Sequence, residues 1–143
     1  MSDAIDTSVL LAAMVASEPH HAACDLILNL TGISLYTHGL TEAFSTLTGG
    51  RHGFRMRPAL AAEVLAQDYA TSLKVTVLTP AELLRAFGEA ENRGVRGGAV
   101  FDFLHLVAAR KAGATRLFTL NLAHFRSFHR LGDPVISHPG ETP

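Results

Sequence analysis

Cysteine is almost missing from this sequence. Cys24 is the one cysteine in 143 residues, so no intrachain disulfide and no thiolate metal cluster can form. Its neighbours Ala22, Ala23, Leu26 and Ile27 point to a buried helix thiol rather than a reactive one, and a reducing, cytoplasmic setting fits. Charge is scarce as well: 17% of residues are charged and the formal net charge is -1. A nucleic-acid binder normally carries a basic excess, so any such contact here must come from a local patch. The opening MSDAIDTSV lacks a basic region followed by an apolar core, and no signal peptide is expected. No apolar run reaches the ~18 residues of a membrane span, so no membrane partner is expected.

Several site chemistries are missing too. No GxxxxGK[ST] loop is present to cradle a phosphate. Gly94-Val95-Arg96-Gly97-Gly98 is not a dinucleotide fingerprint, because no predicted strand leads into it. There is no GxSxG and no HExxH. His20-His21 open a helix and His138 lies near the end of the chain, so a zinc enzyme is disfavoured.

What is present is an apolar chain, 48% hydrophobic. That is too apolar for disorder and fits one domain with one core. It also leaves apolar surface for an oligomer or a partner. A short strand at Ala4–Ile5 leads into the polar triplet Asp6-Thr7-Ser8 and a helix over 9–14. Ser17 can cap and Pro19 can open a second helix, 19–31, with Ala22, Ala23, Leu26, Ile27 and Leu30 on its apolar side. Gly32 stops it. A strand at 33–36 follows, then a helix capped by Thr37 or Thr41 that carries Glu42 and ends at Gly49-Gly50. Residues 51–57 form a basic turn, and Pro58 opens a helix that runs to Tyr69. A strand at 74–78, a helix from Pro80 to near Gly94, a helix at 101–112 stopped by Gly113, and a strand at 115–119 complete the rhythm. Residues 121–128 read as a loop with a helical turn, and 134–136 as a fifth strand. The expected fold is α/β, three layers (α/β/α) around a mostly parallel sheet of four to five short strands. One domain spans 1–137, and 138–143 form a tail without an apolar anchor that should fray. In such sheets ligands bind beyond the C-terminal strand ends.

Four polar residues stand out at those ends. Asp6 follows the first strand, Glu42 the second, Asp102 interrupts an apolar run, and Asn121 follows the strand at 115–119. Taken singly, each has an ordinary role. Asp6 and Asp102 can cap helices, Glu42 can answer a helix dipole, and Asn121 can start a turn. Taken together they fall in one crevice, where three carboxylates repel unless a cation neutralises them. Oxygen ligands without cysteine favour Mg²⁺ or Mn²⁺. Such an ion activates water and stabilises a phosphoryl transition state.

These residues carry a resemblance. IDTSVLLAA (5–13), LTEAF (40–44) and GGAVFDFLHLVAARKAGATRLFTLN (97–121) resemble, in order, the segments of PIN-domain proteins, closest to the VapC-type toxins of bacterial type II toxin–antitoxin pairs. The resemblance implies a PIN-like fold and Mg²⁺-dependent endoribonuclease activity. It implies catalytic Asp6, Glu42, Asp102 and Asn121, with Asp6, Glu42 and Asp102 as metal ligands and Thr7, Ser8 and Thr119 in support. The chain departs from the most acidic version of the pattern at Asn121 and at His124, which implies a weakened second metal. The implied partners are RNA and a small antitoxin, which often joins the toxin in repressing their own operon, so operator DNA is met only through the antitoxin. A homodimer is also expected, with 51–69 as its surface or the antitoxin groove. Arg51, Arg55, Arg57, Arg93 and Arg96 are the candidate RNA contacts. Two other readings use the same residues: a non-toxin RNA-processing nuclease, and a catalytically weak nucleic-acid-binding module.

Overall fold

The computed structural model describes residues 2–50, 53 and 55–141. Among them five short strands form one sheet: β1 (Asp3–Ile5), β2 (Ser34–Tyr36), β3 (Lys74–Thr76), β4 (Arg116–Phe118) and β5 (Val135–Ser137). Their order is β3-β2-β1-β4-β5, and every pairing is parallel. The chain builds outward from β1 to β3, then returns to lay β4 on the other side of β1. The topological switch point is therefore at β1, where a crevice opens beyond the strand ends.

Parallel strands need helical crossovers, and seven helices supply them: α1 (Thr7–Met14), α2 (His21–Leu28), α3 (His38–Gly49), α4 (Pro58–Val64), α5 (Pro80–Arg93), α6 (Ala99–Lys111) and α7 (Leu122–Phe128). A π turn, Leu65–Tyr69, extends α4. Strand alternation sorts the core into two halves. Ala4, Leu117 and Ile136 pack with Phe103, Leu106, Phe125 and Phe128. Ile5, Leu35 and Phe118 pack with Val9, Leu10, Cys24 and Ile27. Helix α6 is buried without a break from Phe103 to Ala109, which makes it the central helix of its layer. The expected three-layer architecture is the observed one, with five strands.

Local signals placed most boundaries. Thr79 and Glu82 form a reciprocal capping box at the start of α5, with Pro80 in its first turn. Gly94 ends that helix with φ 71°, a left-handed conformation that a side chain would resist. Cys24 is buried as expected, and burial first, then the Asp6 and Glu18 charges, push its thiol up to about 11.

Four expectations need correction. Helix α2 begins at His21, so Pro19 lies in the turn before it and Ser17 is not its cap. Its buried side is Cys24 and Ile27, facing α1, while Leu26 and Leu30 are exposed at 68% and 51%. The Thr37 hydroxyl does not cap α3 but donates to the Thr76 carbonyl across the sheet edge. Residues 138–141 are anchored: Pro139 is buried, and the His138 ring meets His20 edge-on at 4.8 Å. Arg51 and Phe54 of the basic turn lie outside the described residues. Among the described residues no helix is long and apolar enough to cross a membrane.

One ion-pair network ties the α5–α6 layer together. Arg93, at the end of α5, donates to Asp133, Glu89 and the Phe128 carbonyl. Arg110 of α6 reaches Glu89 and Asp133. The Arg93 and Asp133 side chains are only 11% and 4% exposed. Arg93 is therefore a structural cation and is not available as an RNA contact, a correction to the sequence expectation. Burial alone pushes the Asp133 carboxyl up, but Arg93, the Arg130 backbone N–H and Arg110 outweigh it and hold it below its ordinary 3.8. Its stabilising effect is complete above that ordinary value and is lost as pH falls through the lower native one. Arg93→Met is expected to cost about 2–4 kcal/mol in urea denaturation near neutrality. The gap to the parent should narrow at about pH 3; an equal gap at both pH values would show that the Asp133 charge is not what Arg93 stabilises.

Candidate active site

Asp6 leaves β1 and begins α1. Its extended backbone, φ -99° and ψ -177°, makes it the N-cap, and the Val9 N–H donates to Oδ1 at 3.2 Å. The capping role is real, but the carboxylate does more. Ser8 Oγ donates to Oδ1 and Thr119 Oγ1 donates to Oδ2, both at 2.6 Å. The same hydroxyls receive backbone N–H groups from the chain leaving β4: Leu120 N donates to Ser8 Oγ and Asn121 N to Thr119 Oγ1. The ends of β1 and β4 are thus stitched together around one carboxylate. Asp6 is 2% exposed. Burial raises its carboxyl above the usual 3.8, overcoming the His105 charge and the hydrogen bonds from Ser8, Thr119 and Val9. Among the described residues it forms no ion pair.

Glu42 lies in the second turn of α3. Its Oε1 accepts from Thr7 Oγ1 at 2.9 Å and from His105 Nε2 at 2.8 Å. An ionised carboxylate can only accept, so Nε2 carries the proton. Burial works against the Glu42 charge, yet the His105 contact, with help from Thr7 and His38, holds its carboxyl below 4.5. His105 is 2% exposed, and its Nδ1 has no partner among the described residues. Sequence reasoning missed His105. The available signal was a polar ring inside the apolar run FLHLVAA, three positions after Asp102 and so on the same helix face.

Asp102 is in the first turn of α6, but Gly98 holds the N-cap position and no side chain caps it. Capping therefore does not explain Asp102. Its Oδ2 pairs with His124 Nδ1 of α7 at 2.7 Å. As the sequence pattern implies, α6 does not leave a strand. It follows α5 and reaches the strand ends by running back across the sheet, so its first turn borders the crevice. Asn121 takes the N-cap position of α7 without a side-chain bond, and it is exposed. The structure therefore forms two hydrogen-bonded sets, Asp6 with Ser8 and Thr119 and Glu42 with Thr7 and His105, which adjoin through the consecutive residues Asp6 and Thr7. Asp102 stands one turn of α6 away from His105, and Asn121 joins through its backbone. Arg55, Arg57 and Arg96 are exposed.

Among the described residues no three histidine, cysteine, aspartate or glutamate side chains are gathered as a ready-made cation site. The donor set nevertheless suits a hard cation. All three acids offer oxygen, and Asp6 is a buried carboxylate with hydrogen bonds but, among the described residues, no ion pair. Such a group is costly to ionise unless a cation joins it.

Comparison with known proteins agrees with this geometry. The PIN domain model matches residues 4–130. Ribonuclease VapC27 of Mycobacterium tuberculosis is 30% identical over 133 residues, covering 93% of this chain and 94% of the relative. The crystal structure of M. tuberculosis VapC20, a Sarcin-Ricin loop cleaving toxin, superposes with a TM-score of 0.69 at 18% identity, covering 92% of this chain and 99% of the other. VapBC2 from Rickettsia felis, solved bound to a DNA fragment from its promoter, gives a TM-score of 0.64 at 15% identity over 96% of this chain and 98% of the other. The acids at the switch point, the hydroxyls that hold Asp6 and these matches along nearly the whole chain lead to one conclusion: the protein belongs to the PIN-domain family.

Proposed function

We propose that this PIN-domain protein is a Mg²⁺-dependent endoribonuclease toxin that hydrolyses RNA phosphodiester bonds and is neutralised by a cognate small antitoxin. The observation that carries the chemistry is the buried Asp6 carboxylate at the switch point, held by Ser8, Val9 and Thr119 and one residue from the Thr7–Glu42 hydrogen bond. The likeness to ribonuclease VapC27 supports RNA as substrate. The likeness to VapBC assemblies supports the antitoxin, with operator DNA reached through it. Exposed Leu60 on α4, and Leu84 and Phe87 on α5, supply apolar surface for the antitoxin and for a second copy in a homodimer.

Asp6, Glu42 and Asp102 would hold Mg²⁺, with Mn²⁺ able to replace it. When bound, the cation supplies an activated water and charge stabilisation at the phosphoryl group. The chain's own residues prepare the site. Ser8 and Thr119 fix the plane of the Asp6 carboxylate. Thr7 and His105 fix Glu42 and keep it ionised. His124 pairs with the Asp102 carboxylate at 2.7 Å. Asn121 offers an amide oxygen but no charge, so the site has three acids. Arg55, Arg57 and Arg96 remain available for the RNA backbone.

Asp6→Asn and Asp102→Asn should each lower RNA cleavage by at least about a hundredfold, the size of losing several kcal/mol of transition-state stabilisation, while circular dichroism shows an intact fold. Chelation should abolish cleavage and added Mg²⁺ restore it. Cleavage that ignores the chelator and both substitutions would sink the proposal. A separate expectation concerns His105→Leu. Losing the Nε2 donor should raise the Glu42 carboxyl, read directly from its ¹³C titration. If that titration does not move, something other than His105 keeps Glu42 ionised.

A further inference from the structure

Metal binding accounts for Glu42 but not for the wall of the cleft that Glu42 shares. Helix α3 carries His38, Thr41, Glu42, Ser45 and Thr46, spaced i, i+3, i+4, i+7 and i+8, so all five share one face. Phe101, in the first turn of α6, stands opposite. Together these six residues line an open pocket of about 500 Å³ beside the acids.

Two features of this pocket bear on what it can hold. The first is a ring stack. His38 and Phe101 lie nearly parallel, 16° apart with centroids 5.4 Å from each other. Phe101 is 47% exposed, and the buried run of α6 begins only at Phe103. Phe101 thus has one face backed by His38 and almost half of its surface open to water, at the edge of the acidic site. The second feature is a set of hydroxyls without partners. Serine and threonine inside helices often donate back to the preceding turn, as Thr48 does to the Phe44 carbonyl at 2.8 Å. Among the described residues the hydroxyls of Thr41, Ser45 and Thr46 have no protein partner.

A protein anchor would call for an apolar socket. This pocket instead pairs a flat aromatic surface with a row of groups that can both donate and accept. That matches a nucleobase, which has a flat π face and a polar edge. It also fits a chain with net charge -1, in which phosphate attraction comes only from a local patch.

We infer that the Phe101–His38 stack and the hydroxyl row of α3 form a subsite for one unpaired nucleobase of the RNA, adjacent to the position of cleavage. The inference rests on the ribonuclease reading. Because each hydroxyl can donate or accept, the subsite positions a base without selecting strongly among bases.

The test uses Phe101→Ala, Phe101→Leu and Phe101→Trp in the full chain. Cleavage is read as KM and kcat separately. Binding to short labelled homopolymers of uridine and of adenosine is read in the Asp6→Asn background, which leaves the RNA uncut. Stacking losses on removing an aromatic ring correspond to roughly 5- to 150-fold in affinity. The Ala and Leu variants should therefore weaken binding and raise KM by at least about fivefold, kcat should change less, and Trp should retain binding. One abasic nucleotide, moved along the oligomer, should weaken binding at a single position for the parent and at none for Phe101→Ala. Cleavage that Asp6→Asn abolishes but that is indifferent to residue 101 overturns the subsite and leaves the nuclease reading standing. A parent protein that neither cuts nor binds RNA overturns both. Loss of self-association in sedimentation, with RNA binding unchanged, assigns Phe101 to a protein contact and overturns the subsite as well. Leu behaving like the parent would show that apolar bulk is enough and that stacking is not used.

Discussion

Much of this molecule follows from one constraint: a carboxylate, Asp6, is buried where the sheet changes direction. A buried acid must be given hydrogen bonds or become neutral. Here the bonds come from three places, the first turn of α1, the hydroxyl of Ser8 and the hydroxyl of Thr119 beyond β4. That requirement sets the conformation of both strand exits. It also draws Thr119, which is fully buried, and the backbone of residues 120 and 121 into the same knot. Hydrogen bonds alone do not offset the desolvation, and the Asp6 carboxyl stays raised.

Asp133 shows what the same fold does with a buried acid that has only a structural task. It too is almost fully covered, but two arginines and a backbone N–H surround it, and its carboxyl is lowered. The contrast between Asp133 and Asp6 is a contrast between a charge paired with arginines and one held by hydrogen bonds from hydroxyls and a backbone N–H. Glu42 is intermediate. His105 completes it in part, at 2.8 Å, and keeps it ionised on the wall of the open pocket. An arginine withdrawn into the Asp133 network cannot also serve RNA. The near-neutral chain keeps a few exposed arginines, Arg55, Arg57 and Arg96 among the described residues, outside that network.

The fold was legible because the signals behind it are local, and the four candidate site positions stand out by the same kind of signal. Short apolar runs alternating with capped helices imply a parallel sheet, and the polar residues at the strand exits mark its crevice. The errors were local readings overruled by packing. Pro19 and Ser17 have the chemistry of a helix start, yet the turn before α2 uses them otherwise. Leu26 and Leu30 fit an apolar stripe by spacing, but α1 covers only the Cys24 and Ile27 side. Arg93 reads as a free cation in a glycine-rich loop, and only the arrival of Asp133, 40 positions later in the chain, makes it structural.

The sequence by itself determined the class of fold, a single cysteine that excludes an intrachain disulfide, and the candidate oxygen-rich set Asp6, Glu42, Asp102 and Asn121. Those depend on residue types and short spacings, which the chain carries openly. Only the tertiary structure decided how each acid is held. His105 reaches Glu42 across 63 positions, Thr119 reaches Asp6 across 113, and His124 reaches Asp102 across 22. It alone brought Phe101 of α6 over the polar face of α3. Contacts between residues so far apart are set by how the helices pack on the sheet, and no local pattern records them.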